Sequence, residues 1–539
     1  MTIKPTPFKN LLARASRRLE NFFHRCSNCE SALFVDPGLD IVISRLVEPD
    51  IISNCFKKVF TYQTNRISFG YDKILIFSTG AQCHLKNYVD LLTATDKPPG
   101  EIIMVVADRF DYIARQFLEA YGFLHRIKPE ELRLPAWILD PDLATIELPN
   151  SYIDQIMGES DTSVERLSKI ITSFPIYDFF TNVFAIGPSS VRIAKSLSSN
   201  FYSAWTHMII IDRTVDNLTP FLSSFTYESM VAEYIGIKYG IAMTPNEEHP
   251  ILFSEKDTVS VQLRNLSYTE ATEYNHILQR QIAEELEEMK NEKDLSLDKL
   301  RLKSKTVVTN QSIGDHLKFM EGINNIFSKD LNLQTNLRSE VDCILGLKNS
   351  NDFIRKAIAL SPDWRTSIRL LAIYSLCTNK AVDTDEVCTM IIDRFGLEAL
   401  AAIWSLDDAG IIGKNKKNFG TETLIKRLQM YNQEVTKKSE KPYDGFTPVA
   451  VKIVQKIAKN EWSDCKNVLE DCKIQTSVMA NRERDMKKVL VVFVGGATYG
   501  EVAALRNLKY DLLVDIDVLT TELLTYKKAV DQLAGIDEQ

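Results

Sequence analysis

The sequence predicts an α/β protein in which a large, mostly helical segment interrupts the second of two α/β domains. Three observations lead to this prediction. Short runs rich in Ile, Val and Leu alternate with helical patterns near the N-terminus, as in parallel sheets that carry helices on both faces. Similar strand-like runs recur at Ile209–Ile211 and, far along the chain, at Val489–Val494. The residues between those two runs have mainly the apolar spacing of helices.

A first α/β domain is predicted at 1–128. Phe8–Phe23 has its apolar residues on one side of a helix. Strands are predicted at Ala32–Val35, Lys73–Phe77 and Ile102–Val106. Asp36-Pro37-Gly38 is typical of a tight turn after the first strand. The basic N-terminal stretch is also compatible with a transit peptide, but Glu20 and the direct continuation into a strand favour an ordinary first helix.

A second α/β domain is predicted at 129–245 plus 484–539, because its early and late strand-like runs share one apolar, β-branched character. These runs are Trp137–Asp140, Asp142–Leu148, Val183–Ile186, Met208–Ile211, Val489–Val494 and Leu513–Leu519. A helix is predicted at Thr162–Ile171. The simplest account is one sheet built from both segments, so that the domain is discontinuous in sequence.

The first distinctive loop of this domain follows the strand Ile209–Ile211. It begins with Asp212-Arg213, and Asp216 and Pro220 then stop regular structure before the next helix. Two aspartates after a strand are compatible with a divalent-ion site.

The second distinctive loop follows the strand Val489–Val494. Gly495-Gly496 predicts a turn at the end of this strand. Thr498 is a good N-cap residue, and Glu501 stands three positions later. This spacing predicts a capping box, in which each side chain accepts a hydrogen bond from the backbone N–H of the other residue.

The segment 246–483 is predicted to be a mainly helical third domain with a helical hairpin at about 270–330. Apolar residues at helical spacing predict an amphipathic helix at Thr272–Lys290. The polar stretch Asn291–Lys305 is predicted to turn the chain. A second helix is predicted from Ser312 to Phe327. The residues by themselves favour a solvated hairpin that packs on its own domain.

The rest of this segment is predicted to be mostly core helices, at Trp364–Leu376 and Ala381–Phe395. Lys414–Lys441 has a basic excess, which is typical of a solvated loop; binding of an anionic lipid or an acidic partner is the alternative. Tyr443–Pro448 then breaks the helical pattern while keeping two aromatic residues. A helix resumes at Val449–Ile457.

Composition sets limits on the class of protein. The 539 residues are too many for one core, and 45% hydrophobic with 25% charged residues is ordinary for a globular protein. The net charge of −8 does not favour a nucleic-acid partner. Nine scattered cysteines without a secretory signal predict free thiols in a reducing, cytoplasmic compartment. No apolar run approaches a membrane span, so a membrane role is expected to act through partners.

The sequence lacks the motifs of the common nucleotide-binding and hydrolytic sites. It contains no G-x-x-x-x-G-K-[ST], no G-x-G-x-x-G and no G-x-S-x-G. Gly495-Gly496 before a helix is a weak signal for an anion site. Cys26-x-x-Cys29 near His24 is compatible with zinc, but no second ligand pair has finger-like spacing, which favours two ordinary thiols. The prediction is a protein that is not an enzyme and has no cofactor or metal.

The two loops resemble the motifs of the SM family, the Sec/Munc-type proteins that govern SNARE-driven membrane fusion. The family patterns are DR-x-x-D-x-x-TP with a following TYE, and GG-x-T-[YF]-x-E-x-x-AL. Here they are formed by Asp212-Arg213, Asp216, Thr219-Pro220 and Thr226-Tyr227-Glu228, and by Gly495-Gly496, Thr498-Tyr499, Glu501 and Ala504-Leu505. The resemblance implies an SM-type arch of three domains around a central cavity and a hairpin on which SNARE helices dock.

Other segments resemble the vacuolar protein sorting-associated protein 33 branch of that family. They are Phe34–Leu39, Ser254–Asp257, Phe395–Leu400 and Tyr443–Val454. Asp444 departs from the branch pattern, where a serine is usual, which puts partner contacts rather than family membership in doubt. The branch implies an SM subunit of the HOPS and CORVET tethering complexes, held by a β-propeller/α-solenoid subunit of the vacuolar protein sorting-associated protein 16 type.

The resemblance also implies site residues. SNARE-binding residues are expected on the hairpin at His276, Arg280, Arg301, Lys303 and His316, although His316 by itself is typical of packing or capping. Tether-partner contacts are expected at Tyr443, Phe446 and Pro448, with a buried loop anchor as the equal alternative. In place of a divalent-ion site, the resemblance implies that Asp212-Arg213 form an ion pair that orients the loop. A structural role is expected for Asp212, Arg213, Asp216, Pro220, Gly495, Gly496, Thr498 and Glu501.

Together these implications predict a SNARE-binding chaperone and regulator of membrane fusion within an endolysosomal tethering complex. It would template SNARE assembly in vesicle-mediated, vacuolar and lysosomal protein transport. It would be cytoplasmic and peripheral on endosome, lysosome or vacuole membranes, with SNAREs and the tether subunits as partners and no nucleic acid. The alternatives are a scaffold subunit of the tether that binds no SNARE, and an α/β nucleotide-binding enzyme.

Overall fold

The computed structural model of the chain divides into two compact units, Met1–Ile138 and Leu139–Glu538. Residues 7–536 are described apart from 28–29, 37–38, 62–70, 79, 81, 94–98, 107–109, 111, 133, 135, 175–180, 198–200, 244–249, 292–296, 331, 347–350, 379–383, 414–415 and 480–485. We refer to the two parts as the first unit and the second unit.

The first unit is a parallel α/β sheet. Its described strands are β1 Ala32–Val35, β2 Lys58–Thr61, β3 Lys73–Ser78, β4 Glu101–Val106 and β5 Ile127–Glu131, in the spatial order β2-β1-β3-β4-β5. Its described helices are α1 Pro7–Cys26, α2 Leu39–Leu46, α3 Pro49–Cys55, α4 Gln82–Thr93 and α5 Tyr112–Ala120. Each neighbouring pair of strands is parallel. The central strands are buried because helices cover their apolar side chains.

The strands predicted for this unit are confirmed, and β2 and β5 were missed. Both missed strands lie at the edges of the sheet, where polar residues are tolerated. β5 even contains Pro129, which is confined to edge strands because it lacks an N–H group. Pro37 and Gly38 of the turn predicted after β1, and the Cys29 half of the thiol pair, lie outside the described residues.

The second unit contains a sheet built from two distant chain segments. Its described strands are β6 Trp137–Asp140, β7 Leu143–Thr145, β8 Asn182–Ile186, β9 His207–Asp212, β10 Ile241–Met243, β11 Pro250–Leu252, β12 Thr476–Met479, β13 Lys488–Val494, β14 Ala497–Thr498, β15 Asp515–Thr520 and β16 Leu523–Leu524. Among these the order β12-β8-β9-β13-β15-β7-β6 forms one sheet. β13 pairs in parallel with both β9 and β15, whereas β12 is antiparallel to β8.

The helices of the second unit lie mostly between β11 and β12. The described ones are α6 Ser151–Met157, α7 Asp161–Ser173, α8 Pro188–Ser196, α9 Tyr227–Tyr234, α10 Thr258–Leu263, α11 Tyr268–Asn291, α12 Leu297–Phe327, α13 Leu333–Ile344, α14 Asn351–Leu360, α15 Trp364–Cys377, α16 Thr384–Phe395, α17 Leu400–Asp408, α18 Thr421–Arg427, α19 Val449–Ala458, α20 Trp462–Asp471, α21 Tyr499–Leu512 and α22 Tyr526–Leu533. Short 3₁₀ helices of this unit lie at Arg213–Val215, Thr219–Phe221, Leu397–Ala399 and Lys438–Tyr443, and one in the first unit lies at Leu124–Arg126. None of the helices described here combines the length and the apolar composition that a membrane crossing requires.

The predicted fold class is confirmed: a parallel α/β unit, and a second α/β sheet whose strands are separated in sequence by a mainly helical segment. The domain limits at 128, 245 and 484 stay predictions. β5 runs on to Glu131, and the sheet of the second unit takes in β12, which begins at Thr476.

Two local predictions in the helical segment were wrong. The turn predicted at Asn291–Lys305 is too long, because α12 already begins at Leu297. Its first turns are rich in Lys, Leu and Arg, which are good helix formers even when solvated. The run Lys414–Lys441 is only partly a loop, since it contains α18 and most of the 3₁₀ helix Lys438–Tyr443.

Candidate functional site

The two distinctive loops meet in the second unit through a buried ion pair. Arg213 follows β9 and Glu501 lies in the first turn of α21. The Nη2 atom of Arg213 is 3.0 Å from both carboxylate oxygens of Glu501. The side chains are 1% and 0% exposed. The pair thus joins the loop after β9 to the loop after β13.

The ion pair predicted between Asp212 and Arg213 is therefore corrected, because Arg213 pairs with Glu501. Consecutive residues at a strand end point to opposite faces, so Asp212 turns away from its neighbour. Its carboxylate accepts hydrogen bonds from the backbone N–H of Ser189 at 2.8 Å, the side chain of Gln155 at 2.7 Å and the backbone N–H of Thr214 at 2.9 Å. These contacts fix the loop on α6 and α8.

Asp216 fixes the other end of the same loop. Its carboxylate accepts hydrogen bonds from the backbone N–H of Thr219 at 3.0 Å and from the hydroxyl of Thr219 at 2.6 Å. It also accepts one from the backbone N–H of Val449, the first residue of α19, at 3.2 Å. Pro220 is buried beside these contacts. The carboxylates considered for a divalent ion are thus engaged with protein donors.

The predicted capping box is confirmed. Thr498 accepts from the backbone N–H of Glu501, and Glu501 accepts from the backbone N–H of Thr498. The hydroxyl of Thr498 also lies 2.6 Å from that of Tyr443. Glu501 therefore closes the first turn of α21 and neutralises Arg213 with one carboxylate.

A second buried cluster accounts for Glu228 in the TYE motif. Arg506 of α21 donates to Glu228 at 3.1 Å, to Asp140 at 2.9 Å and to Asp142 at 3.0 Å. Arg264 pairs with the same Asp140. The sequence motif does not contain these partners, so this cluster was missed.

The crevice at the carboxyl ends of the parallel strands is where α/β proteins usually bind ligands. Here Gly495 and Gly496 donate their backbone N–H groups to the hydroxyl of Thr521, at 3.1 and 2.7 Å. A Cβ atom on Gly495 would meet the side chain of Gln155 at 2.6 Å. The N–H of Ser189 at the start of α8 is taken by Asp212. These three backbone N–H groups thus already donate within the protein, and a nucleotide phosphate would have to displace Thr521 or Asp212 to reach them.

The hairpin is formed by α11 and α12, which run antiparallel. The hydroxyl of Tyr268 donates to the carbonyl of Met320 at 2.7 Å, and the side chain of Asn275 donates to the carbonyl of Ile313 at 3.3 Å. The base of the hairpin lies in a core with Tyr227, Phe253, Leu263, Phe319 and Ile323. Beyond Asn275 and before Ile313, most described side chains are exposed.

Four of the five residues predicted to bind SNAREs lie on this outer part. His276, Arg280, Arg301 and Lys303 are all exposed. Because the two helices are antiparallel neighbours, these side chains share the distal half of one hairpin. Their role in binding stays a prediction.

His316 is different, and its placement on the binding surface is corrected. Its side chain is 0% exposed and lies between the hydroxyl of Tyr227 at 2.7 Å and the carboxylate of Asp257 at 3.2 Å. Burial raises the pKa of Asp257, but the hydrogen bonds from His316 and Ser312 outweigh it and hold this pKa below its usual range. His316 stands three residues from the buried Ile313 and from Phe319, so helical spacing puts it in the core.

Exposed apolar residues on the same half of the hairpin were missed. Leu302 is 54% exposed, Val307 50% and Val308 63%. Val308 stands seven residues after Arg301 and three after Lys305, which places these three side chains on one face of α12. The sequence signal for this surface is the adjacent pair Val307-Val308, which lies outside the interrupted apolar stripe of α12.

The residues predicted to contact a tether partner are buried. Tyr443 is 5% and Phe446 1% exposed, and Pro448 is buried as well. Of the two alternatives, the structure supports the loop anchor: the rings of Tyr443 and Phe446 pack edge to face with centroids 6.3 Å apart. A partner could not reach these side chains in this conformation, so the assignment of contacts to them is corrected.

We expect Tyr443→Phe to lower the free energy of unfolding by about 1 kcal/mol, because Thr498 loses one hydrogen-bond partner in a buried position. A urea titration followed by tryptophan fluorescence measures this. Tyr431→Phe is the control, since the Tyr431 ring is only half-buried. Wild-type stability of Tyr443→Phe would show that the hydroxyl pair is not formed in solution.

Comparisons with known proteins find matches that include residues of both units. The family model described as the Sec1 family matches residues 58–532. A relative from Rattus norvegicus, vacuolar protein sorting-associated protein 33A, is 23% identical, and the match covers 96% of each chain. The resemblance to that branch, inferred from the motifs, is thus found again over nearly the whole length.

Solved structures with the same fold extend the comparison. One is the Unc18–syntaxin 1 complex from Monosiga brevicollis, with 14% identity, a TM-score of 0.58, and coverage of 98% of this chain and 99% of that one. Another is the SM protein Vps45 in complex with the Qa SNARE Tlg2, with 15% identity, a TM-score of 0.56, and coverage of 97% and 98%. With the family model matching residues 58–532, these findings lead to one conclusion: the chain belongs to the Sec1 family, the SM proteins.

Proposed function

We propose that this chain is a SNARE-binding regulator of membrane fusion, and that the outer half of the hairpin α11–α12 is its SNARE-binding surface. The observation that carries the proposal is the exposed face of α12, where Arg301 and Lys305 stand beside Val308. Cations flanking apolar side chains suit an amphipathic helix with acidic residues at its edge. The solved relatives in complex with syntaxin 1 and with the Qa SNARE Tlg2 support the same kind of partner.

The proposed mechanism is the alignment of SNARE helices. Nucleating a coiled coil costs conformational entropy, because several residues must be ordered before the first contacts form. A rigid hairpin that holds one helix and presents it to a second raises their effective concentration. The base of the hairpin is anchored in the core around Phe319 and Ile323, which gives the outer half a firm support.

We further propose that the chain acts within an endolysosomal tethering complex of the HOPS or CORVET type, peripheral on endosome, lysosome or vacuole membranes. A β-propeller/α-solenoid subunit of the vacuolar protein sorting-associated protein 16 type would hold it there. Similarity to vacuolar protein sorting-associated protein 33A supports this proposal. Because Tyr443 and Phe446 are buried, the contacts would come from exposed neighbours such as Asp444.

We expect the double charge reversal Arg280→Glu with Arg301→Glu to weaken binding of a Qa SNARE motif about tenfold or more. The double variant replaces two attractive contacts with two repulsive ones at an exposed surface. This should weaken the binding free energy by about 1.4 kcal/mol or more. Isothermal titration calorimetry at low and high salt measures the effect, and the difference should shrink as salt rises.

Lys169→Glu on α7 is the matched control, because it reverses an exposed cation outside the hairpin. It should bind like wild type. Wild-type affinity of the double variant would remove the hairpin from the mechanism. A chain that binds the solenoid subunit but no SNARE motif would be a scaffold instead.

A further inference from the structure

A cavity of about 340 Å³ lies in the second unit at the base of the hairpin. Its wall combines the start of α11, the end of α12, and the first residues of α21 and α22 with the loop after β9. The wall includes several aromatic residues, among them Tyr234, Tyr268, Phe327, Tyr499 and Tyr526. The volume is in the range of small-ligand pockets.

Three wall tyrosines have hydroxyl groups that are hydrogen-bonded within the protein. Tyr268 donates to the carbonyl of Met320 at 2.7 Å, and Tyr499 donates to the carbonyl of Ile237 at 3.3 Å. The hydroxyl of Tyr443, another wall residue, is paired with Thr498. These three side chains therefore offer the cavity mainly their rings, which are apolar and carry partial negative charge on their faces.

Among the wall residues that the structure describes, Glu233 is the one with a charged side chain. Its two carboxylate oxygens accept the backbone N–H groups of Tyr526 at 2.9 Å and Lys527 at 3.1 Å. Each oxygen accepts one hydrogen bond from the residues that the structure describes, and a carboxylate oxygen can accept two. The nearby Arg369 lies 4.4 Å from the centre of the Tyr526 ring and is itself paired with Glu340.

We propose that this cavity binds a ligand that joins a protonated amine to an apolar or aromatic group. The ammonium would lie at Glu233 and over the tyrosine rings, where an ion pair and cation–π contacts add together. The apolar part would fill the space toward Tyr268 and Phe327. The amine belongs either to a free small molecule or to a lysine side chain in a peptide. This site is separate from the outer half of the hairpin.

The first test is titration of the full chain with 4-phenylbutylamine and with 4-phenylbutyrate, followed by ligand-observed NMR. We expect the amine to bind and the carboxylate not to bind. Glu233→Gln should weaken amine binding about tenfold or more, whereas Glu321→Gln, which changes an exposed carboxylate of α12, should leave it unchanged. Equal binding of the two probes, or an unchanged affinity of Glu233→Gln, would overturn the proposal.

A second measurement uses the wild-type chain alone and so does not depend on how a variant folds. Burial raises the pKa of Glu233 to about 7, so its charged form grows as pH rises from 6 to 8. The amine stays protonated over this range, since alkyl ammonium groups titrate near pH 10. Arg369, Lys527, Tyr234 and Tyr526 are the other ionisable groups around Glu233, and none changes charge in this window.

Amine affinity should therefore rise several-fold from pH 6 to pH 8. A flat profile would contradict a role for Glu233. To separate the two sources of the amine, the same titration uses N-acetyl-Phe-Lys-amide with N-acetyl-Phe-norleucine-amide as its uncharged control. Binding of the lysine peptide identifies a peptide ligand, binding of the small amine alone identifies a free amine, and failure of both overturns the site.

Discussion

Glu501→Ala should lower the free energy of unfolding of the second unit by about 3–5 kcal/mol, because it leaves the buried Arg213 without its carboxylate. Arg213 is 1% exposed, so water cannot replace the lost partner. The same substitution removes one half of the capping box with Thr498. Both losses affect the N-terminal end of α21, and both should lower the free energy of unfolding.

A urea titration monitored by circular dichroism measures this effect. Glu470→Ala is the matched control, because Glu470 forms an exposed ion pair with Lys466 on α20, and exposed pairs contribute at most about 1 kcal/mol. The double variant Arg213→Met with Glu501→Leu should be more stable than Glu501→Ala, since no charge stays buried alone. A small loss for Glu501→Ala, equal to that of Glu470→Ala, would mean that the pair does not stabilise the fold.

Local sequence signals predicted the buried central strands and the capping box, whereas short or edge strands such as β2, β5 and β12 were missed. β9 and β13 are continuous apolar runs, and such runs have few alternatives to a buried parallel strand. The capping box of Thr498 and Glu501 was also predictable, since both partners lie within one helical turn. These features depend on neighbours in sequence, so a single sequence contains their physical cause.

Long-range partners could not be predicted in the same way. From the sequence, the adjacent Asp212 is the obvious ion-pair partner of Arg213. The carboxylate that pairs with Arg213 belongs instead to Glu501, in a distant part of the chain. The burial of His316 and Tyr443 also depends on how several elements pack, and a motif does not contain that packing. The early start of α12 was missed because solvated helix formers have the composition of a loop.

Gly187→Ala should lower the free energy of unfolding by about 2–6 kcal/mol, the sum of backbone strain and overpacking. Gly187 has φ 98° and ψ 158°, a conformation that side-chain-bearing residues rarely adopt. A Cβ atom there would lie 2.2 Å from the Cβ of Asp212. Asp212 cannot yield, because Ser189, Gln155 and Thr214 hold its carboxylate.

Gly158→Ala is a control for backbone strain without a clash. Gly158 has φ 87° and ψ 13°, in the left-handed helical region, and a Cβ atom there would meet nothing within 4 Å. It should therefore cost only about 1–2 kcal/mol of backbone strain. Thermal and urea unfolding of both variants give the comparison. If both lose the same stability, the clash with Asp212 is relieved, and the loop after β9 is less rigidly held than its hydrogen bonds imply. We expect the larger loss for Gly187→Ala, because its φ and ψ are the more strained pair and the close contact between the ends of β8 and β9 leaves no room for the added Cβ atom.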